Sequence, residues 1–241
     1  LTRIQMQKGS PKDLLSIKDT ILIAEEIRAG FVVNNGFNLP ENIEKLFAPL
    51  LGNSETANLI TESIRDDAPN IISEGDIIKP AFHPKIKELQ DLINNGRVHI
   101  NKLRDKYRQE TGIDTLKISN NNVVGLFIDI TARHSGKITD KKFIHRQTTA
   151  NSIRYTTEEL QELESKMLNA KAMLIGLEKE IYSDICTAVI ANTSKLILLA
   201  TALNRLDVFL NFAYIADEFE YCLPILTNET NFEVRGGRHP V

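Results

Sequence analysis

Residues 97–154 carry twelve lysines and arginines (97, 102, 104, 106, 108, 117, 133, 137, 141, 142, 146 and 154) against five acids (105, 110, 114, 129 and 140). The segment is therefore +7, although the whole chain is −3, which leaves −10 for the remainder. Guanidinium and ammonium groups at this density do not pair off among themselves, and they suit a polyanion, with nucleic acid the first candidate. The densest part is the connection of residues 132–142 and the run after it. There Arg133, Lys137, Lys141, Lys142 and Arg146 are candidate phosphate contacts, with Ser135 and the Gly136 backbone as neutral donors. The competing reading is a solvated charged surface, the usual fate of Lys and Arg.

Other chemistry is poorly supported. No Gly-rich phosphate loop of either common spacing occurs. His134 and His145 sit in dissimilar contexts and read as packing or solvent-facing residues rather than a metal pair. Asp66-Asp67 falls in a loop and Glu158-Glu159 in the first turn of a helix, where the helix dipole accounts for it. No nucleophile–base arrangement is present, so no enzymatic activity, cofactor or metal is expected of these residues. Phe127 and Phe143 fit core packing, which favours backbone contact over base stacking.

Two apolar stripes must position the basic segment. Ile86, Leu89, Ile93, Gly96, Ile100, Leu103 and Tyr107 step by three and four, as do Leu160, Leu163, Met167, Ala170, Leu174, Leu177 and Ile181. Each is a heptad seam of three repeats. Gly96 permits close helix approach, and Thr111-Gly112 ends the first helix. Between the seams the period changes to two. Residues 115–119, 123–131 and 143–148 read as three strands, with Asn120-Asn121-Asn122 as a turn. Leu126, Ile128 and Ile130 share one face, opposite Phe127 and Asp129. Thr156 opens the second long helix, with Glu159 as its capping-box partner. Equal stripes around a compact β insert should pair antiparallel, each arm reaching roughly 30–40 Å. Arg104, Lys106 and Arg108, interleaved with Asp105 and Glu110, read as the solvated flank of that pair.

The rest is helical. Residues 1–30 read as helix, with Ser10-Pro11 offering an N-cap and a first-turn proline and Gly30 a stop; residues 40–52 and 53–65 form two more, and Ser54 is the candidate cap of the latter. A hairpin or loop around Glu74-Gly75-Asp76 follows, and a further helix covers about residues 192–220. The 42% apolar content suffices for a core, and Cys186 and Cys222 read as reduced hydrophobes. The longest nearly apolar run, residues 196–203, is short of the ~20 residues that span a bilayer. No membrane and a cytoplasmic location are expected, and both chain ends look cut.

The fold class is thus mainly α with a small antiparallel β insert: a helical core and a long two-helix antiparallel lever capped by the β insert. Several stretches in this order resemble the DNA mismatch-repair family MutS. They are residues 111–117 (TGIDTLK), residues 125–130 (GLFIDI), Arg146-Gln147-Thr148 with Arg154-Tyr155, Leu177-Glu178 with Tyr182, Leu206-Asp207-Val208, and Gly237-Arg238-His239-Pro240-Val241. The resemblance implies a division into residues 1–96 (core and first lever part), 97–157 (clamp) and 158–241 (lever return and core). It implies that paired clamps of a homodimer close over duplex DNA, touching its backbone without reading sequence. It also implies that the last block leads to an ATPase domain, where ATP and magnesium would bind, and that a MutL-like protein is a partner. The other reading kept open is a structural spacer or protein-interaction module that binds no DNA by itself.

Overall fold

A computed structural model of the chain describes the backbone of residues 1–35, 40–121, 125–230 and 232–237. Residues 122–124 and 238–241, which include the Asn122 turn position, Val123-Val124 and most of the terminal Gly-Arg-His-Pro-Val block, lie outside the described residues. Seven α-helices are described: α1 (Thr2–Gln5), α2 (Pro11–Asn35), α3 (Glu41–Phe47), α4 (Ser54–Ser63), α5 (Pro84–Thr111), α6 (Glu158–Ala191) and α7 (Thr193–Glu218). The strands are β1 (Lys117–Asn121), β2 (Gly125–Thr131), β3 (Ile144–Thr148) and β4 (Ser152–Thr156). They form one antiparallel sheet in the order β1-β2-β4-β3. The chain is mainly α with a small antiparallel β insert.

The backbone falls into two compact units, residues 2–15 with 59–187, and residues 16–58 with 188–241 plus Leu1. In the second of these, α7 packs on α3 and on the 3-10 turn Ala48–Leu50. Its buried stripe is Leu196, Leu199, Ala202 and Leu206, and Phe31 meets Phe47 with ring centroids 4.8 Å apart. By length and composition α7 could cross a membrane. A core helix with one buried stripe passes the same test, so the residue 196–203 run understates how far this apolar character extends.

The other unit contains the long helix pair and the sheet. His83 caps α5, its Nδ1 accepting from Lys85 N at 3.2 Å, and Gly112 ends it at φ 61°, donating to Arg108 O. Contacts along the pair run in reverse order: Tyr107 with Thr157, Lys106 with Glu159, and Gly96 against Met167. That order makes α5 and α6 antiparallel. A Cβ at Gly96 would sit 2.6 Å from Met167 Cγ, so the close approach needs glycine unless the methionine moves. Every third or fourth residue of both stripes is buried or half-buried. At 28 and 34 residues the helices measure about 42 and 51 Å.

Several boundaries differ from the sequence reading. Residues 1–30 are not one helix. The chain breaks after α1, with Gln7 at φ 56° and Gly9 lying so close to Ile4 that a Cβ would come within 2.7 Å of its Cγ1. Ser10 does cap α2: its Oγ accepts from Asp13 N, and Asp13 accepts from Ser10 N and Oγ. Gly30 does not stop that helix, which continues to Asn35. At the start of α4 the capping position is Asn53, whose carbonyl accepts from Thr56 and Ala57, and Ser54 is already helical. Glu74-Gly75-Asp76 forms a 3-10 turn and loop rather than a hairpin. Behind it, Ile64 bridges Ile78, and Glu178 Oε1 accepts from Ile77 N and Ile78 N at 3.0 and 3.1 Å.

The sheet has four strands, not three. The missed strand, β4 (Ser152–Thr156), falls between the third expected strand, which ended at Thr148, and the helix expected to open at Thr156. Its residues alternate, but the strand is short and Ile153 and Tyr155, paired with Ile130 and Ile128 of the core face, are its only apolar members, so the signal is weak. Thr156 therefore ends a strand, and the cap of α6 is Thr157, whose Oγ1 accepts from Leu160 N at 3.1 Å. Glu159 does not reach back to close a capping box; it binds Lys106 at 2.9 Å.

Candidate nucleic-acid interface

One apolar cluster holds the β insert to the ends of the arms. Leu103 and Tyr107 from α5, Ile113 and Leu116 from the connection, Ile128 and Ile130 from β2, Phe143, and Leu160 from α6 are all buried in it. The sheet thus shares its core with the helix ends instead of closing one of its own, as a small sheet must. Polar ties surround this cluster. Tyr107, 1% exposed, hydrogen-bonds Thr157 Oγ1 at 2.8 Å and donates to Glu159 Oε2 at 3.4 Å, and burial raises its phenol pKa. Arg108 Nε donates to Leu116 O at 2.8 Å, and Leu126 N donates to Glu164 Oε1 at 2.7 Å.

Against this frame the six candidate residues divide into two groups. Ser135 and Lys137 lie in the 3-10 turn Ala132–Lys137, and both make local bonds to backbone: Ser135 Oγ donates to Ala132 O at 2.9 Å and Lys137 Nζ to Gly112 O at 3.3 Å. Lys142 is more fully engaged. It pairs with Glu110 at 2.6 Å and Asp140 at 3.5 Å, and its ammonium lies 5.8 and 5.4 Å from the ring centroids of Tyr107 and Phe143. The Glu110 carboxylate raises the Lys142 pKa, and the Lys142 backbone N–H lowers that of Asp140. The reason is local. Lys137 and Lys142 both meet the C-terminal end of α5, where unpaired carbonyls, the helix dipole and Glu110 attract cations.

Arg133, Lys141 and Arg146 form the second group. All three are exposed, and among the described residues no ion pair or hydrogen bond engages their side chains. Arg146 is distinctive. In the β3–β4 pairing His145 faces Tyr155 and Gln147 faces Arg154, so Arg146 is the extra residue of a β-bulge on an edge strand. Bulges re-aim side chains and interrupt pairing. His134 and His145 have local partners, His134 with Thr115 and Thr131, His145 with Thr148 and the Tyr155 ring.

Two cations on the sheet were not singled out from sequence. Strand register places Lys117 opposite Asp129, Asp129 opposite Arg154 and Arg154 opposite Gln147, on the face away from Ile128. Recognising β4 would have revealed this row, because alternation then assigns Arg154 to the outer face.

A helix pair crowned by this sheet defines a known class of domain. Residues 81–173 match the family described as MutS family domain IV. The whole chain is 59% identical to the DNA mismatch repair protein MutS of Rickettsia canadensis and, separately, to that of Rickettsia felis, and 56% identical to that of Rickettsia bellii. Each alignment covers all of this chain and 27% of the relative. The chain belongs to the MutS family. It spans about a quarter of the length of these curated relatives.

Proposed function

We propose that α5, α6 and the sheet are the lever and clamp of a mismatch-repair protein, and that the clamp contacts the sugar–phosphate backbone of duplex DNA without reading its sequence. The observation that carries this reading is the trio Arg133, Lys141 and Arg146, exposed cations with no partner among the described residues, on a subdomain short of acids. Lys137, Lys142 and Ser135 support the fold of the tip instead of reaching out. Residues 1–96 and 158–241 then serve as core and lever around a clamp of residues 97–157. In the longer protein the lever couples DNA contact to an ATPase region outside these residues, which would bind ATP and magnesium. A homodimer in the cytoplasm with a MutL-like partner completes the proposal. The coupling is reciprocal by linkage: if nucleotide biases the arm, DNA at the tip biases the nucleotide site.

Three phosphate contacts give a log–log salt slope of about −2.7 and an affinity near the ~10⁻⁴ M weak end of non-specific binding. Fluorescence anisotropy with a short labelled duplex at low salt tests the assignment. Arg133→Glu with Lys141→Glu should weaken binding and reduce the slope by about 2. Unchanged binding by this double variant removes the loop from the interface. Lys142→Glu is unsuitable for the purpose, since it breaks the tie to Glu110 as well. The spacer reading has one observation in its favour, the internal use of Lys137 and Lys142, and it requires no binding at any salt.

A further inference from the structure

Residues 71–78 form a strap that lies against both arms of the helix pair, and each neighbour holds it by a different bond. Asp76 Oδ1 accepts from Gln90 Nε2 of α5 at 3.2 Å. Glu178 Oε1 of α6 accepts from Ile77 N and Ile78 N. The residues at the end of α4 close the third side: Arg65 N donates to Ile77 O at 2.9 Å and Lys79 N to Ser63 O at 2.8 Å, around the Ile64–Ile78 bridge. Gly75, buried at φ 77°, lies so near α6 that a Cβ would come within 3.0 Å of Ile175 Cγ1 and 3.3 Å of Glu178 Oε2. We propose that this strap is a releasable brace across α5 and α6, and that the charge on Glu178 sets how tightly it closes. The brace belongs to the arms alone and stands whether or not the tip binds DNA.

The tie to α6 is chemically unbalanced. Glu178 is buried, and its Oε2 has no hydrogen-bond partner. Its donors are neutral backbone N–H groups, and among the described residues no cation is ion-paired with it. Charges on the surrounding elements act at longer range. Asp76 on the strap opposes ionisation, and Arg65 after α4 favours it, but Arg65 already holds Asp67 at 2.9 Å. Glu74 of the strap, Arg97 of α5 and Lys171 of α6 line a cavity of about 150 Å³ between the strap and the arms. Tyr182, one turn along α6, is buried with its hydroxyl unpartnered. Opening the strap lets water reach the carboxyl group. The ionised form gains most from that hydration, so it favours the open strap, and the protonated form favours the closed one. Burial raises the Glu178 pKa, which agrees with this order. Acid therefore tightens the brace and rising pH loosens it.

Amide hydrogen exchange of the isotope-labelled chain, read by NMR from mildly acidic to mildly basic pH, tests the brace. Protection of Ile77 N and Ile78 N, corrected for the intrinsic base-catalysed rate, should fall as pH rises. The fall should reach about tenfold for each unit separating the closed and open carboxyl pKa values. Leu103 N, on α5 within the sheet-end cluster, should keep constant protection. In Glu178→Gln both strap amides should exchange slowly at every pH, because no charge is left to desolvate. Gln90→Ala should speed their exchange and leave its pH dependence in place. Constant protection of Ile77 and Ile78 in the parent chain overturns the proposal, and that result needs no variant to fold. The same pH dependence at Leu103 also overturns it, since the opening would then be global. A pH dependence that survives in Glu178→Gln removes Glu178 as the controlling group. Unchanged exchange in Gln90→Ala removes α5 from the brace.

Discussion

Among the described residues Glu178 is the one buried charged side chain. It is a carboxylate only 2% exposed, with Oε1 accepting from two backbone N–H groups and Oε2 without a partner. Burial is the largest influence on it and raises its pKa, against the lowering effect of the Ile78 and Ile77 N–H groups; the Asp76 charge raises it further, while the Asp76 N–H lowers it. A carboxyl with a raised folded-state pKa binds protons more readily folded than unfolded, so its contribution to stability falls as pH rises from its unfolded value through its folded one. Glu178→Gln keeps an oxygen for Ile77 and Ile78 and removes the titration. Urea melts across the mildly acidic range should therefore show a flatter pH dependence for this variant. A parent-like slope would mean that Glu178 is solvated in solution.

At the scale of elements, the junction of sheet and α6 depends on Gly125. Its φ of 75° is left-handed, and a Cβ there would lie 2.2 Å from Glu164 Oε1, the oxygen that accepts from Leu126 N. Gly125→Ala incurs the left-handed backbone cost of about 1–2 kcal/mol and displaces a charge-assisted bond worth about 1.5–3 kcal/mol. Gly112 has φ 61° but open space around it, so Gly112→Ala should lose only the backbone part. Thermal melts should rank Gly125→Ala as the less stable by at least about 1 kcal/mol. Equal losses would place Glu164 away from the strand. Legibility differed at this scale for physical reasons. The arms were readable because their seams repeat for three heptads, and their ends carry Pro84 and Gly112. Strand β4 was not, because five residues with only Ile153 and Tyr155 apolar carry little periodic signal beside the cap of α6.

For the whole molecule, charge segregation located the cluster of cations but did not sort its members. Sequence shows that Lys137 and Lys142 are cations; only the fold shows that the C-terminal end of α5 and Glu110 take them up. Arg133, Lys141 and Arg146 stay exposed, and among the described residues no acid pairs with them. Membership of the MutS family makes DNA the partner to test first. The central claim, that the tip binds phosphates and not bases, is tested most directly by the salt dependence of this chain's binding to two duplexes of unrelated sequence. The account predicts equal affinities with parallel log–log slopes of about −2.7 or steeper. A clear preference for one sequence, or a slope near zero, would contradict it.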